Sequence, residues 1–182
     1  PPLSEGVHSL VVRQTDAAGN GPGPNSDSLV LTIDITAPDA PAAPDLDTAS
    51  DSGTAVDDDL TNDATPTING TAEAGSTVEL LDGSTSLGTA VTDGLGDWTL
   101  DSSELTDGIY ELTVTATDAA GNTGLDSVSL TITVDKTAPD VPPTPNLQAF
   151  SDSGDSNEDD ITDDTTPSIS GTAEAGSTVT LL

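Results

Sequence analysis

Apolar and polar residues alternate along two stretches of the chain. In IYELTVTATD, Tyr110, Leu112, Val114 and Ala116 fall on one side, and Thr113, Thr115 and Thr117 on the other. In SVSLTITVD, Val128, Leu130, Ile132 and Val134 face one way, and Ser129, Thr131 and Thr133 the other. A period of two predicts half-buried β-strands. Shorter runs repeat the signal: Ile68, Gly70 and Ala72 in TPTINGTA, Val78 and Leu80 in TVELL, a weaker SLGTAVT, then Trp98 and Leu100 in WTL. Turn residues separate them, with EAGS at Glu73, DGST at Asp82, DGLGD at Asp93, ELTDG at Glu104 and DAAGN at Asp118. A short first strand near Asp45, followed by a long acidic loop to Asp63, completes the set. No segment carries helical periodicity of useful length.

The pattern recurs. TAPDAPAAPDLDTASDSG at Thr36 returns as TAPDVPPTPNLQAFSDSG at Thr137, and TDAAGN occurs at Thr15 and again at Thr117. The period is too long for a solenoid unit, so each copy reads as its own small domain. Roughly seven short strands in about 100 residues match an antiparallel sandwich of immunoglobulin type. The fold class is therefore all-β, with tandem seven-stranded immunoglobulin-like β-sandwiches. Residues 1–35 supply the last two strands (F and G) of one repeat. Residues 36–136 form a complete repeat with a Pro- and Ala-rich linker at 36–44. Residues 137–182 supply the linker and strands A to C of a third. The two end pieces are expected to expose unpaired strand edges, and to be less ordered than the middle copy or to pair with neighbouring copies. Pro1 and Leu182 both fall inside repeats, so the absence of a leader carries no meaning.

Trp98 reads as a core residue. Tyr110 stands near the start of the sixth strand, two residues before Leu112, the position of a tyrosine corner. His8 occupies that place in the first copy and reads as a tolerated variant, not a catalytic or metal-binding residue.

Charge changes the picture most. The chain holds 33 acids against two bases, Arg13 and Lys136, for a formal charge of −31. Phosphate recognition needs clustered Lys and Arg, so nucleic acid is excluded as a partner, and anionic membrane surfaces with it. No apolar run reaches the roughly 20 residues of a membrane span. There is no Cys, so no disulfide staples the domain. Few aromatics with high net charge also describe a chain that is disordered in the absence of metal, but a disordered chain has no need of regular alternation and placed turns.

Immunoglobulin topology places the acids. The B–C and F–G turns of the complete copy lie beside the incoming linker, which gathers Asp34, Asp39, Glu73, Asp118 and Asn122 at one junction. The next junction repeats this with Asp135, Asp140 and Glu174. At the other end, the loop after the first strand brings Asp51, Asp57, Asp58, Asp59 and Asp63 near Asp107. Two unit charges 4 Å apart repel by about 1 kcal/mol in water and roughly 4 kcal/mol at an effective dielectric of 20. A bound cation reverses that sign. All-oxygen donors suit Ca2+, which accepts six to eight oxygens in adaptable geometry; zinc would want His or Cys. The loop lacks EF-hand spacing and its closing Glu. The bland alternative is a solvated acidic surface kept for solubility.

The strings SDSG…DDxTxDxTPxIxGTAEAGSTVxL, DGxYxLTVTATDAAGN and LTITVDxTAPD together resemble the bacterial immunoglobulin-like repeats of giant surface adhesins, biofilm-associated and RTX-type, that leave the cell by type I secretion. The resemblance covers the whole chain; GPGPNSD at Gly21 departs from it by one inserted residue after TDAAGN. It implies extender modules outside a bacterial cell, with neighbouring repeats of the same chain and calcium ions as partners. The junction and loop acids named above would be the ion ligands. The expected function is a calcium-rigidified spacer that projects an adhesive domain for cell adhesion and biofilm formation. A rival reading is a module that binds carbohydrate, ice or a host protein through the outward Thr113, Thr115, Thr117, Thr131 and Thr133. An enzyme is not expected: no His pairs with Ser or Cys, no glycine loop cradles phosphate, and the acids sit in turns without an apolar cleft.

Overall fold

The computed structural model describes residues 2–53, 55–156 and 158–182. It divides into two compact units, Pro1–Lys136 and Thr137–Leu182.

The first unit begins with an antiparallel hairpin of β1 (Gly6–Leu10) and β2 (Leu29–Ile33). The complete repeat follows as a two-sheet sandwich. One sheet runs β3 (Asp45–Leu46), β5 (Thr67–Thr71), β8 (Asp97–Asp101) in spatial order. The other runs β4 (Leu60–Thr61), β10 (Leu130–Val134), β9 (Gly108–Thr117), β6 (Thr77–Asp82), β7 (Thr85–Val91). All pairings are antiparallel except β4 with β10. The expected first strand is thus two: β3 lies in one sheet and β4 in the other. The acidic stretch between them is the crossover from sheet to sheet, not the link from the first strand to the second. That link is the short 62–66 segment. Among the described residues the sandwich has eight strands where seven were expected, because the first is split.

The core lies between the sheets and follows the alternation. Ile68, Val78, Leu80, Leu112, Val114, Ala116 and Ile132 are wholly buried, with Leu46, Leu87, Trp98, Leu105 and Val134 beside them. Trp98 crosses to Gly70 on β5, where an added Cβ would stand 2.8 Å from the indole Cζ2. Glycine here makes room for the one large ring.

Val128 departs from the expected inward face and is exposed. The reason is local. Ser127 donates its backbone N–H to the Val114 carbonyl, while its hydroxyl, not its carbonyl, accepts the Val114 N–H at 3.0 Å. That substitution breaks the period of two, so the regular strand begins only at Leu130.

Tyr110 forms the corner. Its hydroxyl accepts the Thr106 N–H at 3.0 Å and donates to the Thr106 carbonyl at 2.9 Å. In the hairpin before it, His8 Nε2 lies 2.7 Å from the Ser4 carbonyl, also four residues back. The imidazole does the phenol's work there, which accounts for the variant. The hairpin also shows what the second sheet contributes. Leu112 and Val114 are fully buried, whereas Leu10 and Val12, the same positions one repeat earlier, are 37% and 73% exposed.

The second unit holds β11 (Asn146–Leu147) paired antiparallel with β12 (Ile169–Ser170). These repeat β3 and β5 one period later.

Replacing Gly70 by Ala forces methyl against indole in a packed core, which costs about 1–3 kcal/mol. Chemical denaturation followed by Trp98 fluorescence is expected to show a lowered midpoint with an unchanged slope.

Candidate metal centre

The linker 36–44 does not hang free of the complete repeat. Pro38, Pro41 and Pro44 are buried. Ala42 donates its N–H to the Thr71 carbonyl at 3.3 Å. Gly124, just beyond the turn from β9, lies so near the Pro38 carbonyl that a Cβ would meet it at 2.4 Å. Asp39 and Glu73 line one open groove of about 380 Å³ between linker and turn.

The TDAAGN turn closes on itself. Asp118 Oδ1 accepts the backbone N–H groups of Ala120 (2.8 Å) and Asn122 (2.9 Å), and its Oδ2 accepts Asn122 Nδ2 at 2.8 Å. The same Nδ2 reaches the Asp34 carbonyl at 3.2 Å. The Asn122 side chain above all, then the backbone donors, hold the Asp118 carboxyl below its ordinary value. The earlier copy builds the same turn from Asp16 and Asn20. So Asp34, Asp39, Glu73, Asp118 and Asn122 come to one end of the sandwich in two subgroups: a groove with Asp39 and Glu73, and a turn that grips the Asp34 backbone. The Asp34 carboxylate caps its own turn by accepting the Thr36 N–H at 3.1 Å.

Of the next junction, Asp135 ends the complete repeat and donates its N–H to Thr61 at 2.8 Å. Asp140 and Glu174 belong to the second unit, where the Glu174 carbonyl accepts from Ser177.

At the opposite end the crossover loop is an ordered turn system. Ser50 and Asp51 donate their backbone N–H groups to the Asp47 carbonyl. The Ser50 hydroxyl accepts the Thr67 N–H at 3.0 Å, and Asp51 Oδ2 receives the Asp59 N–H at 3.4 Å. Asp59 takes a left-handed backbone, with φ of 58°. Burial first, then the facing charges of Asp51, Asp45, Asp58 and Asp57, raise its carboxyl above the ordinary value. Asp63 stays tied to the loop, because its Oδ2 accepts the Ser50 hydroxyl at 3.4 Å while its Oδ1 accepts the Thr65 N–H at 2.9 Å. The structure separates one expected member from this group. Asp107 lies beyond β10 from the loop and accepts the Lys136 N–H at 3.1 Å. Asp45 joins the group instead; it was passed over because it begins a strand. Asp57 and Asp58 remain exposed.

Residues 146–168 rebuild this loop. Ser168 donates to Ser151 Oγ at 3.0 Å, Asp160 to Asp152 Oδ2 at 3.3 Å, and Asp160 has φ of 59°. Among the described residues, no three His, Cys, Asp or Glu side chains stand together at a spacing ready to hold a metal ion.

Residues 36–136 and again 137–182 match the bacterial Ig-like domain family. The chain belongs to that family. These Ig-like repeats are also similar to a solved structure described as the BSP domain of a biofilm associated protein, at 24% identity and a TM-score of 0.37. That likeness covers 75% of this chain and 20% of the other, so the repeats span about a fifth of its length. No curated protein matches them.

Two outcomes follow. Gly124→Ala is expected to lift the linker from the turn, seen as faster amide exchange at Ala42. Asp93 accepts the N–H groups of Leu95 (2.7 Å) and Asp97 (3.0 Å), and these hold its carboxyl below 3.8. Its stabilisation is full above that value and is lost as pH falls through the lower folded-state value. Thermal melts of Asp93→Ala are expected to lie below wild type near neutral pH, with the gap closing in acid.

Proposed function

We propose that these bacterial Ig-like repeats are calcium-stiffened spacer modules of a bacterial surface adhesin, acting outside the cell to project an adhesive domain in cell adhesion and biofilm formation. The observation that carries this reading is the seating of the linker. Three buried prolines, the Ala42–Thr71 bond and the Asn122–Asp34 bond fasten the entry segment to the turns of the following sandwich. A repeat held this way transmits the direction of the one before it.

Charge supplies the switch. The groove pairs Asp39 with Glu73, and a hard cation between them would turn repulsion into attraction. Backbone carbonyls such as that of Asp34, the Asn122 carboxamide oxygen and water would complete a calcium shell, since calcium does not require carboxylates alone. Asp135, Asp140 and Glu174 hold the equivalent sequence positions one period later. Extracellular calcium modules bind at about 0.1–1 mM, so such a junction fills outside a cell and empties in a calcium-poor cytosol. The rival reading, ligand binding on the threonine face, is less favoured, because Glu79 pairs with Thr115 and Glu111 with Thr131 and charges interrupt the rows.

Small-angle scattering of the chain in calcium and in chelator tests the spacer. The expected result is a longer maximum dimension and a narrower distance distribution in calcium. Equal dimensions in both would overturn it.

A further inference from the structure

We propose that the crossover loop of each repeat is itself a site for a hard divalent cation, calcium in preference to magnesium, held by Asp45, Asp51, Asp57 and Asp59 in one copy and by Asn146, Asp152, Glu158 and Asp160 in the next. The site lies inside one repeat. It takes only the identity of the metal from the spacer reading and does not need the junction.

The decisive atoms are two carboxylate oxygens. Asp51 is 5% exposed, and its buried Oδ1 has no hydrogen-bond partner. Asp152, one period later, is 8% exposed, and its Oδ1 is buried and unpartnered as well. Each partner oxygen, Oδ2, receives only one long N–H, at 3.4 Å and 3.3 Å. A carboxylate buried without partners is costly, and repetition of the same atom in two copies marks a design. The intervening residues differ, with TAVDDDL in one loop and DSNEDDI in the other.

Both copies name the same companions. In the second unit Asp152 lines a cleft of about 290 Å³ with Asn146, Glu158 and Asp160. In the first unit the charges that face Asp59 include Asp51, Asp45 and Asp57, which hold the equivalent positions. Two of the four positions change residue between copies, Asp45 to Asn146 and Asp57 to Glu158, and both changes keep an oxygen donor.

The donors are all oxygen, which selects calcium or magnesium over zinc or copper. Among the described residues no three of the acids stand at metal-holding spacing, so binding requires the loop to draw in around the ion. That adaptability favours calcium, because magnesium demands near-ideal octahedral geometry. Donor charge then ranks the copies. Four carboxylates around Asp51 bind more tightly than three carboxylates and a carboxamide around Asp152.

Calorimetric titration of the 182-residue chain with calcium alone, and with magnesium as competitor, tests this. The expected isotherm contains two sites of unequal affinity that survive Asp39→Asn/Glu73→Gln at the junction groove. Asp51→Asn removes the tighter and Asp152→Asn the weaker. Asp45→Asn gives the first loop the donor set the second carries and weakens the tighter site severalfold toward the other, with unchanged circular dichroism in chelator. Should Asp51→Asn fail to fold, Asp45→Asn decides. Parent-like binding by the loop variants, or no calcium uptake by the parent at millimolar concentration, overturns the site. Loop binding without any change in molecular length overturns the spacer and leaves the site standing.

Discussion

Like charge held close together is the constraint on which this domain turns. The sandwich has one tryptophan, one tyrosine and no disulfide in its complete copy. Its apolar core must hold two sheets together against an excess of carboxylates at both ends. The most crowded acids occupy the segment that passes from one sheet to the other. Asp59 feels four neighbouring carboxylates, and one of them, Asp51, is buried. Whatever relieves that crowding also fixes the path between β3 and β4, and through it the relation of the two sheets.

Aspartates serve this fold in two distinct ways. Several are turn makers: Asp16, Asp63, Asp93, Asp118 and Asp164 accept backbone N–H groups from residues two to four places on. Such bonds hold the charged form, as the lowered carboxyls of Asp16, Asp93, Asp118 and Asp164 reflect. Asp51 and Asp152 are different, since burial there is not matched by donors. The contrast separates acids that complete the backbone from acids left with unused oxygens.

Much of the architecture was legible from alternation alone. The inward faces of β5, β6, β8 and β9 follow the period of two, and the corner at Tyr110 followed from its place before Leu112. The misses have local causes. Val128 turns outward because a serine hydroxyl replaced a carbonyl in the ladder, a substitution invisible to hydrophobic periodicity. The split of the first strand was hidden because β3 and β4 are two residues each, too short to carry a pattern. Reading the acidic loop as a link to the second strand also drew in Asp107, which the structure places beside Lys136. Asp45 returns as Asn146 one period later and keeps an oxygen donor, but Asp47 does so too as Gln148, so repetition alone did not single it out.

The parallel contact of β4 with β10 joins a strand from the start of the repeat to the strand that ends it. Thr133 donates to Asp59 and Asp135 to Thr61, extending the contact by a bond on either side. A pull along the chain drags these two strands in opposite directions along their length. Their hydrogen bonds then share the load together instead of opening one after another like a zip. The same tug reaches β4 only through the crossover loop, so the grip of that loop sets how much slack a repeat can release before it tears.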